Sequence, residues 1–402
     1  MGTLTATVMR AMQEHQRGNV EGSEAIYREV LAADSTEPDA LHYLGVLKFQ
    51  NGKQLEGLAL IRQSLDVRPE NAHAWNSLGN ILKTTGDLEG GCSAYETALR
   101  LAPEMHQAWY NYARLLARLG RKDESIAALE KIVAARPEYE EAYQYLGRLC
   151  YRVGDIERAR NTYRAWLAMS PDNPVPRHML AATGGDEVST PPRAGDQYVR
   201  DLFNGYAASF DENLTGLGYR APKLMLAAVE AQLDAAAGNL AILDAGCGTG
   251  LCGPLLKPFA NRLDGVDLSD KMVDLARARG VYDELLVGEL SATMRERPGS
   301  YDAIISADTL VYFGDLAEPT AAAATCLRPD GWFIFTVEAL GSENEALDYR
   351  LAPSGRYEHG RAYLERTLQQ GGFVVVSIQR ETLRMERAAE VAGWLVTGRL
   401  AA

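Results

Sequence analysis

A spacing of 34 residues governs the first half of the chain. Trp75, Trp109 and Tyr143 fall on it, and so do Pro69, Pro103, Pro137 and Pro171. Between them recur Leu44-Gly45, Leu78-Gly79, Tyr112-Ala113 and Leu146-Gly147, then Gly91 with Tyr95, Ser125 with Leu129 and Ala159 with Tyr163. Self-similarity at such a period means one helical hairpin repeated, each copy burying its apolar face on the next. The small residues let two antiparallel helices approach closely, and the aromatic residues fill the gap between successive hairpins. Gly52, Gly86, Gly120 and Gly154 mark the turn inside each hairpin. Proline lacks an N–H and clashes with the preceding turn, so it ends the second helix. The predicted units are 38–71, 72–105, 106–139 and 140–173, with a weaker one, 4–37, that keeps Gly18 and Tyr27 in phase.

This pattern resembles the tetratricopeptide repeat, which implies a binding surface rather than a catalyst. In that family set positions on the first helix of each hairpin line the inner groove. They map here onto His42, Asn76, Asn80, Tyr110, Arg114, Arg118, Arg148, Tyr151 and Arg152. Arginines interleaved with tyrosine and asparagine suit an acidic or carboxylate-bearing protein partner. The same residues also read as a solvated face, or as a face turned towards the acidic second half of the chain.

At 402 residues the chain exceeds one ordinary core, so two domains are expected. Its longest apolar stretches are too short to cross a bilayer. Met1-Gly2-Thr3-Leu4 lacks the basic start and apolar run of a signal peptide, and Ala6 stands where myristoylation wants Ser or Thr. The expectation is a cytoplasmic protein with no membrane partner. Five cysteines, in no metal spacing, read as reduced packing residues. Five of the six histidines precede residue 180, so no metal site is expected in the second half. Through Leu180 there are 21 Lys and Arg against 23 Asp and Glu; beyond it there are 20 against 31. A half carrying −11 repels phosphate backbones, which argues against nucleic acid.

After Pro171 the repeat fails. Pro174 and Pro176 precede a short helical stretch at 177–182, and 183–195 is rich in Gly, Pro and small polar residues. That composition marks a linker or an exposed loop. The expected organisation is a repeat domain at 1–177, a linker at 178–196 and a second domain at 197–402.

The second domain turns on Leu240-Ala-Ile-Leu-Asp244-Ala-Gly246-Cys-Gly248-Thr-Gly250. An apolar strand runs into an acid and then into alternating glycines, as a sharp turn against a ligand requires. The next strand ends at Asp267, seventeen residues beyond Gly250, where a carboxylate can accept both hydroxyls of a ribose. Gly248, Gly250 and Gly253 also satisfy a dinucleotide fingerprint. Against that reading, Asp244 would be wasted beside a pyrophosphate but suits the ammonium of a methionine tail. No lysine follows Lys271, which excludes a downstream Tyr-x-x-x-Lys hydride-transfer pair. The lysine of a triphosphatase loop is also missing.

Residues 197–402 resemble a class I S-adenosylmethionine-dependent methyltransferase. The implied fold is an all-α tetratricopeptide solenoid followed by an α/β Rossmann-like domain, its mostly parallel sheet ending in an antiparallel strand. The resemblance implies S-adenosylmethionine as cofactor, with Gly246 and Gly248 against its methionine portion and Asp267 on the ribose. Leu268 and Met272 would flank the adenine, and Glu289, beside Leu290, would face its amine in place of the commoner Asp. Tyr206 would touch the donor from a helix over 198–214, which also carries Phe203 and Phe210. Arg220 matches a position that grips the methionine carboxylate, although a surface ion pair is a rival reading. Asp308 is expected at the cofactor and in catalysis, together with Tyr312 and with His359, the one histidine of this half. Phe210, Tyr312, Glu338, Arg356, Tyr357 and His359 form the expected acceptor-binding set. The last strands are expected at 373–378 and 393–397. The acceptor is a small molecule or a peptide, methylated on O, N or S. The rival from another class is a scaffold that binds the donor without turnover.

Overall fold

The computed structural model describes every residue except 1, 187, 234–237, 345 and 387–388. Contacts divide the chain into two compact units, Met1–Asp155 and Ile156–Ala402.

The first unit is built of antiparallel helix pairs: Gly2–Gln16 with Val20–Ala33, Pro38–Gln50 with Gln54–Val67, Ala72–Thr85 with Leu88–Leu101, and His106–Arg118 with Lys122–Ala135. Glu140–Val153 follows. The intervening turns place Gly18, Gly52, Gly86, Gly120 and Gly154 at φ between 78° and 94°, a region that costs an L side chain dearly. The close approach predicted at the small positions is present. A Cβ on Gly79 would stand 2.7 Å from the Tyr95 ring, and one on Gly57 would stand 2.6 Å from the Gly45 carbonyl. The aromatic position has a second task that the repeat alone does not reveal. Trp75 and Trp109 donate their indole N–H groups to the carbonyls of Pro69 and Pro103, at 2.7 and 2.9 Å. Each thus caps the end of the preceding hairpin.

The second unit begins with the helix Ile156–Met169 and a short helix, Pro174–Ala182. Arg177 stands 34 residues after Tyr143 and donates to the Pro171 carbonyl at 2.6 Å, as the tryptophans do two and three repeats earlier. The stretch expected to be a linker is instead a packed strap. Ala181 and Ala182 join Leu351 and Tyr357 in one buried cluster, and His178 meets the Gly355 carbonyl at 2.9 Å. The Tyr357 hydroxyl donates to Pro191 O at 2.7 Å, Gly314 N–H to Pro192 O and Ala194 N–H to Tyr312 O, both at 2.8 Å. A Gly- and Pro-rich composition reports the absence of helix or strand periodicity, and here the backbone finds its partners elsewhere.

Among the described residues the sheet holds β1 (Leu240–Ala245), β2 (Ala260–Asp267), β3 (Glu284–Val287), β4 (Tyr301–Ser306), β5 (Leu327–Ala339), β6 (Tyr349–Leu351), β7 (Tyr357–His359), β8 (Phe373–Glu386) and β9 (Ala389–Leu400). The order β3-β2-β1-β4-β5 is parallel throughout. β9 pairs antiparallel with β5 along Trp332–Glu338, and β8 lies outside it. The hairpin runs well beyond the segments expected at 373–378 and 393–397. The β6–β7 hairpin, which sequence did not predict, attaches at Glu338 and Ala339, where β5 outruns β4. Ile242, Leu263, Ala303, Ile305 and Ile334 are buried in a core shared with Met225 and Leu256. Strand order reverses between β1 and β4, and crevices that hold ligands open at such reversals, beyond the carboxyl ends of the strands.

Candidate functional site

Asp244 is the penultimate residue of β1, and the chain then turns through Gly246, Gly248 and Gly250, at φ of 81°, 54° and 82°. The three glycines serve different ends. A Cβ on Gly246 would fall 2.0 Å from the Thr309 hydroxyl, and one on Gly250 would meet the Tyr282 ring at 3.0 Å. A Cβ on Gly248 would find nothing nearer than the Phe210 ring, at 4.0 Å. The first and third glycines are therefore packing glycines, while the second leaves its backbone open towards the crevice.

Asp267, at the end of β2, binds this turn directly. One carboxylate oxygen accepts Gly248 N–H and the other accepts Ser269 N–H, each at 2.9 Å. Burial raises its pKa, and those N–H groups oppose the shift. Ser269 caps the helix Asp270–Ala278, and Asn204 meets the Ser269 hydroxyl from the helix Asp196–Tyr206. Beneath the turn, Asp244 is 1 % exposed and accepts the Tyr282 hydroxyl at 2.6 Å. Burial pushes Asp244 up to about 7, against the pull of that hydrogen bond. Glu289 caps the helix Leu290–Arg295 through Ala292 N–H at 2.8 Å. Its other oxygen is buried without a hydrogen bond and lies 3.5 Å from the Arg193 guanidinium. Leu268 is half-buried, whereas Met272 is fully enclosed and Leu290 nearly so. Met272 and Leu290 are thus core residues beneath the site.

The other side of the crevice holds a buried ionic cluster. Asp308, in the left-handed region at φ 54°, accepts from Arg384 at 3.1 Å, and its other oxygen meets Thr336 Oγ1, also at 3.1 Å. Arg384 and Arg356 share one oxygen of Glu338, and Arg356 also holds Glu386. Burial alone would raise Glu338, but Arg356 and Arg384 outweigh it and hold it below the ordinary glutamate value. Asp308 keeps a raised pKa, since burial and Glu338 outweigh Arg384. Tyr312 feels these same four charged groups, and its ring meets Phe203 edge-on at 5.5 Å; Phe203 meets Phe210 likewise at 5.9 Å. Tyr219 faces the cluster too: burial and then Asp308 raise its pKa.

The structure brings together Asp244, Gly246, Gly248, Asp267, Leu268, Phe210 and Glu289 around the turn, and Asp308, Tyr312, Glu338 and Arg356 beside it. Tyr206, half-buried, ends the helix Asp196–Tyr206; Phe210 opens a separate one, Phe210–Gly216, so no continuous helix carries both. Three expected site residues lie elsewhere. Arg220 reaches the Thr382 carbonyl and Glu381 on β8, at 3.3 and 3.8 Å, which is the surface-pair alternative. Tyr357 is fully buried under the strap. His359 is fully buried in β7, its Nε2 3.2 Å from the Gly314 carbonyl and its ring stacked on Tyr363. Burial lowers His359 to about 4, so it is neutral near pH 7 and closed off from a reacting group. His359→Asn should leave the pH profile of kcat between pH 6 and 8 unchanged in shape; a displaced limb would restore it as a base. Tyr282, Arg384, Tyr219 and Asn204 went unpredicted, because nothing in their own spacing announces them.

No group of side chains able to hold a metal occurs among the described residues, and no described helix is long and apolar enough to cross a membrane.

Residues 53–176 match the tetratricopeptide domain of cytochrome c-type biogenesis protein H, and 243–335 match a methyltransferase domain. A ubiquinone biosynthesis O-methyltransferase of Bordetella pertussis is 31 % identical over 102 residues, covering 24 % of this chain and 41 % of that one. The human methyltransferase-like protein 27 is 33 % identical over 106 residues, covering 26 % and 43 %. The chain thus spans about two fifths of the length of these curated relatives. A magnesium protoporphyrin IX methyltransferase from Synechocystis, solved with SAH, is 19 % identical over 51 % of this chain and 99 % of that one, at a TM-score of 0.40. The chain joins a tetratricopeptide-repeat domain to a methyltransferase domain.

Proposed function

We propose that the second unit transfers a methyl group from S-adenosylmethionine to an oxygen, nitrogen or sulfur atom of a small molecule. The observation that carries this is the turn at 246–250. Its Gly248 backbone is open to the crevice, Asp267 is fastened beneath it, and Glu289 keeps a buried oxygen without a hydrogen bond. These residues fit the donor: Asp267 would hold the ribose, Glu289 the adenine amine, Leu268 the adenine face, and Asp244 would lie below the methionine tail, whose ammonium would favour its ionised form. The donor, when bound, supplies a sulfonium methyl ready for in-line displacement. The chain's task is alignment and exclusion of water, which can supply several powers of ten in rate. Phe203, Phe210 and Tyr312 wall the crevice. Asp308, its pKa raised, is the group suited to take a proton from the acceptor.

Titration calorimetry of the full chain with S-adenosylhomocysteine, NAD and FAD tests this. Heat with the first alone is expected; binding of a nicotinamide or flavin instead would overturn it. Donor binding without turnover on any metabolite pool would favour a scaffold.

For the first unit we propose recruitment of an acidic partner, in a cytoplasmic setting. Lys83 is held below its ordinary pKa by burial and then by Arg114 and Arg118. Arg114 also lies over the Tyr110 ring, which meets Tyr139 and Tyr145 edge-on. Asn76 meets Asn111 at 3.3 Å, and Asn80 accepts the Tyr95 hydroxyl at 2.7 Å. Arg148 and Arg152 continue the charge on the next repeat. A second reading, favoured by that same charge, is that the groove delivers a peptide for methylation. Reversing Arg114 and Arg118 to Glu should weaken binding of a polyglutamate peptide, read by fluorescence anisotropy, at least about tenfold. Unchanged affinity would return the groove to an ordinary solvated face.

A further inference from the structure

The cover over the glycine turn is tied down by one small network. Asp211, directly after Phe210, accepts the Thr249 hydroxyl on one oxygen and the Arg279 guanidinium on the other. Arg279 also donates through Nε to the Thr249 carbonyl. Thr249 lies between Gly248 and Gly250, and Arg279 closes the helix Asp270–Ala278, whose N-terminal end Asp267 binds. One ion pair therefore joins three pieces: the cover helix Phe210–Gly216, the turn, and the helix on the ribose side.

We propose that Asp211, Thr249 and Arg279 form a latch that holds Phe210 over the turn and thereby sets how long donor and product stay bound. The proposal rests on the donor reading above. These are positioning residues. The Asp211 side chain is 49 % exposed and that of Arg279 28 %, so the pair contributes little to global stability. What it does control is local. The Phe210 ring, 4.0 Å from where a Gly248 Cβ would stand, is carried on a helix of seven residues with no buried side chain. Such an element lacks the apolar anchoring that would keep it closed unaided. The contacts of Asp211 with Thr249 and Arg279 tie it to the turn and to the helix Asp270–Ala278. An exposed ion pair is screened by salt, so opening should quicken as ionic strength rises.

The test measures S-adenosylhomocysteine dissociation from the full chain by surface plasmon resonance, for the wild type, Asp211→Asn, Arg279→Gln and the double variant. Each single variant is expected to raise the off-rate about tenfold, the scale of one charge-assisted hydrogen bond. The double variant should add little, because both changes open the same latch. Asp211→Glu should recover part of the loss, and melting temperatures should stay within about 3 °C of the wild type. Folded variants with an unchanged off-rate would overturn the latch, as would fully additive effects. If Asp211→Asn melts early, Thr249→Val carries the test, since it removes only the hydroxyl. A wild-type chain that ignores S-adenosylhomocysteine would instead sink the donor reading, a different failure.

Discussion

Asp267→Ala should weaken S-adenosylhomocysteine binding by about 1–3 kcal/mol, roughly one to two decades in Kd. Two losses combine. On the proposed donor site the ribose hydroxyls would lose their acceptor, and Gly248 N–H and Ser269 N–H lose the carboxylate that fixes the turn to the following helix. Asp267→Asn separates the two, because an amide oxygen still accepts one N–H group while the charge is gone. Calorimetry on the three proteins reads the difference. A dissociation constant unmoved by either change would mean that the acid only braces the turn and that the sugar lies elsewhere.

Arg384→Met should cost about 3–5 kcal/mol of folding stability, the scale of breaking a buried ion pair on one side. The arginine side chain is 5 % exposed and contacts Asp308, Glu338 and Glu386. Removing it strands carboxylates that burial already disfavours. The pH dependence carries the sign. In the wild type Glu338 sits below its ordinary pKa, so its contribution is present above that ordinary value and fades as pH falls through the folded one. In the variant burial is less opposed and Glu338 moves up, so acid relieves part of the penalty by protonating it. Urea unfolding at pH 7 and pH 5 should show the gap between the two proteins narrowing at pH 5. A gap independent of pH would indicate lost packing rather than a stranded charge.

Some of this was legible in the residues themselves. The 34-residue period dictates helix pairs, because glycine at each turn and small residues at each crossing are local requirements that spacing exposes. The glycine turn and Asp267 were legible for a similar reason: backbone conformation and a strand end fix them within a few residues. The acceptor side was not. Tyr357 and His359 stand in a polar string, yet β6 and β7 pair and turn those rings inward against Tyr349 and Tyr363. Arg384 sits at the far end of β8, with partners 46 and 76 residues earlier in the chain. Gly250 and Gly253 announce that something large lies against them, but only the folded chain shows that it is Tyr282.

The strap has a practical consequence for anyone cutting this chain. A fragment started at 197, where composition suggests the seam, would leave the Tyr357 hydroxyl, the Gly314 amide and the Tyr312 carbonyl without the partners that 191–194 supply. It would also bare the apolar patch at Leu351 that Ala181 and Ala182 cover. Such a fragment should be sticky and short-lived in solution, for reasons unrelated to whether it can bind its nucleoside.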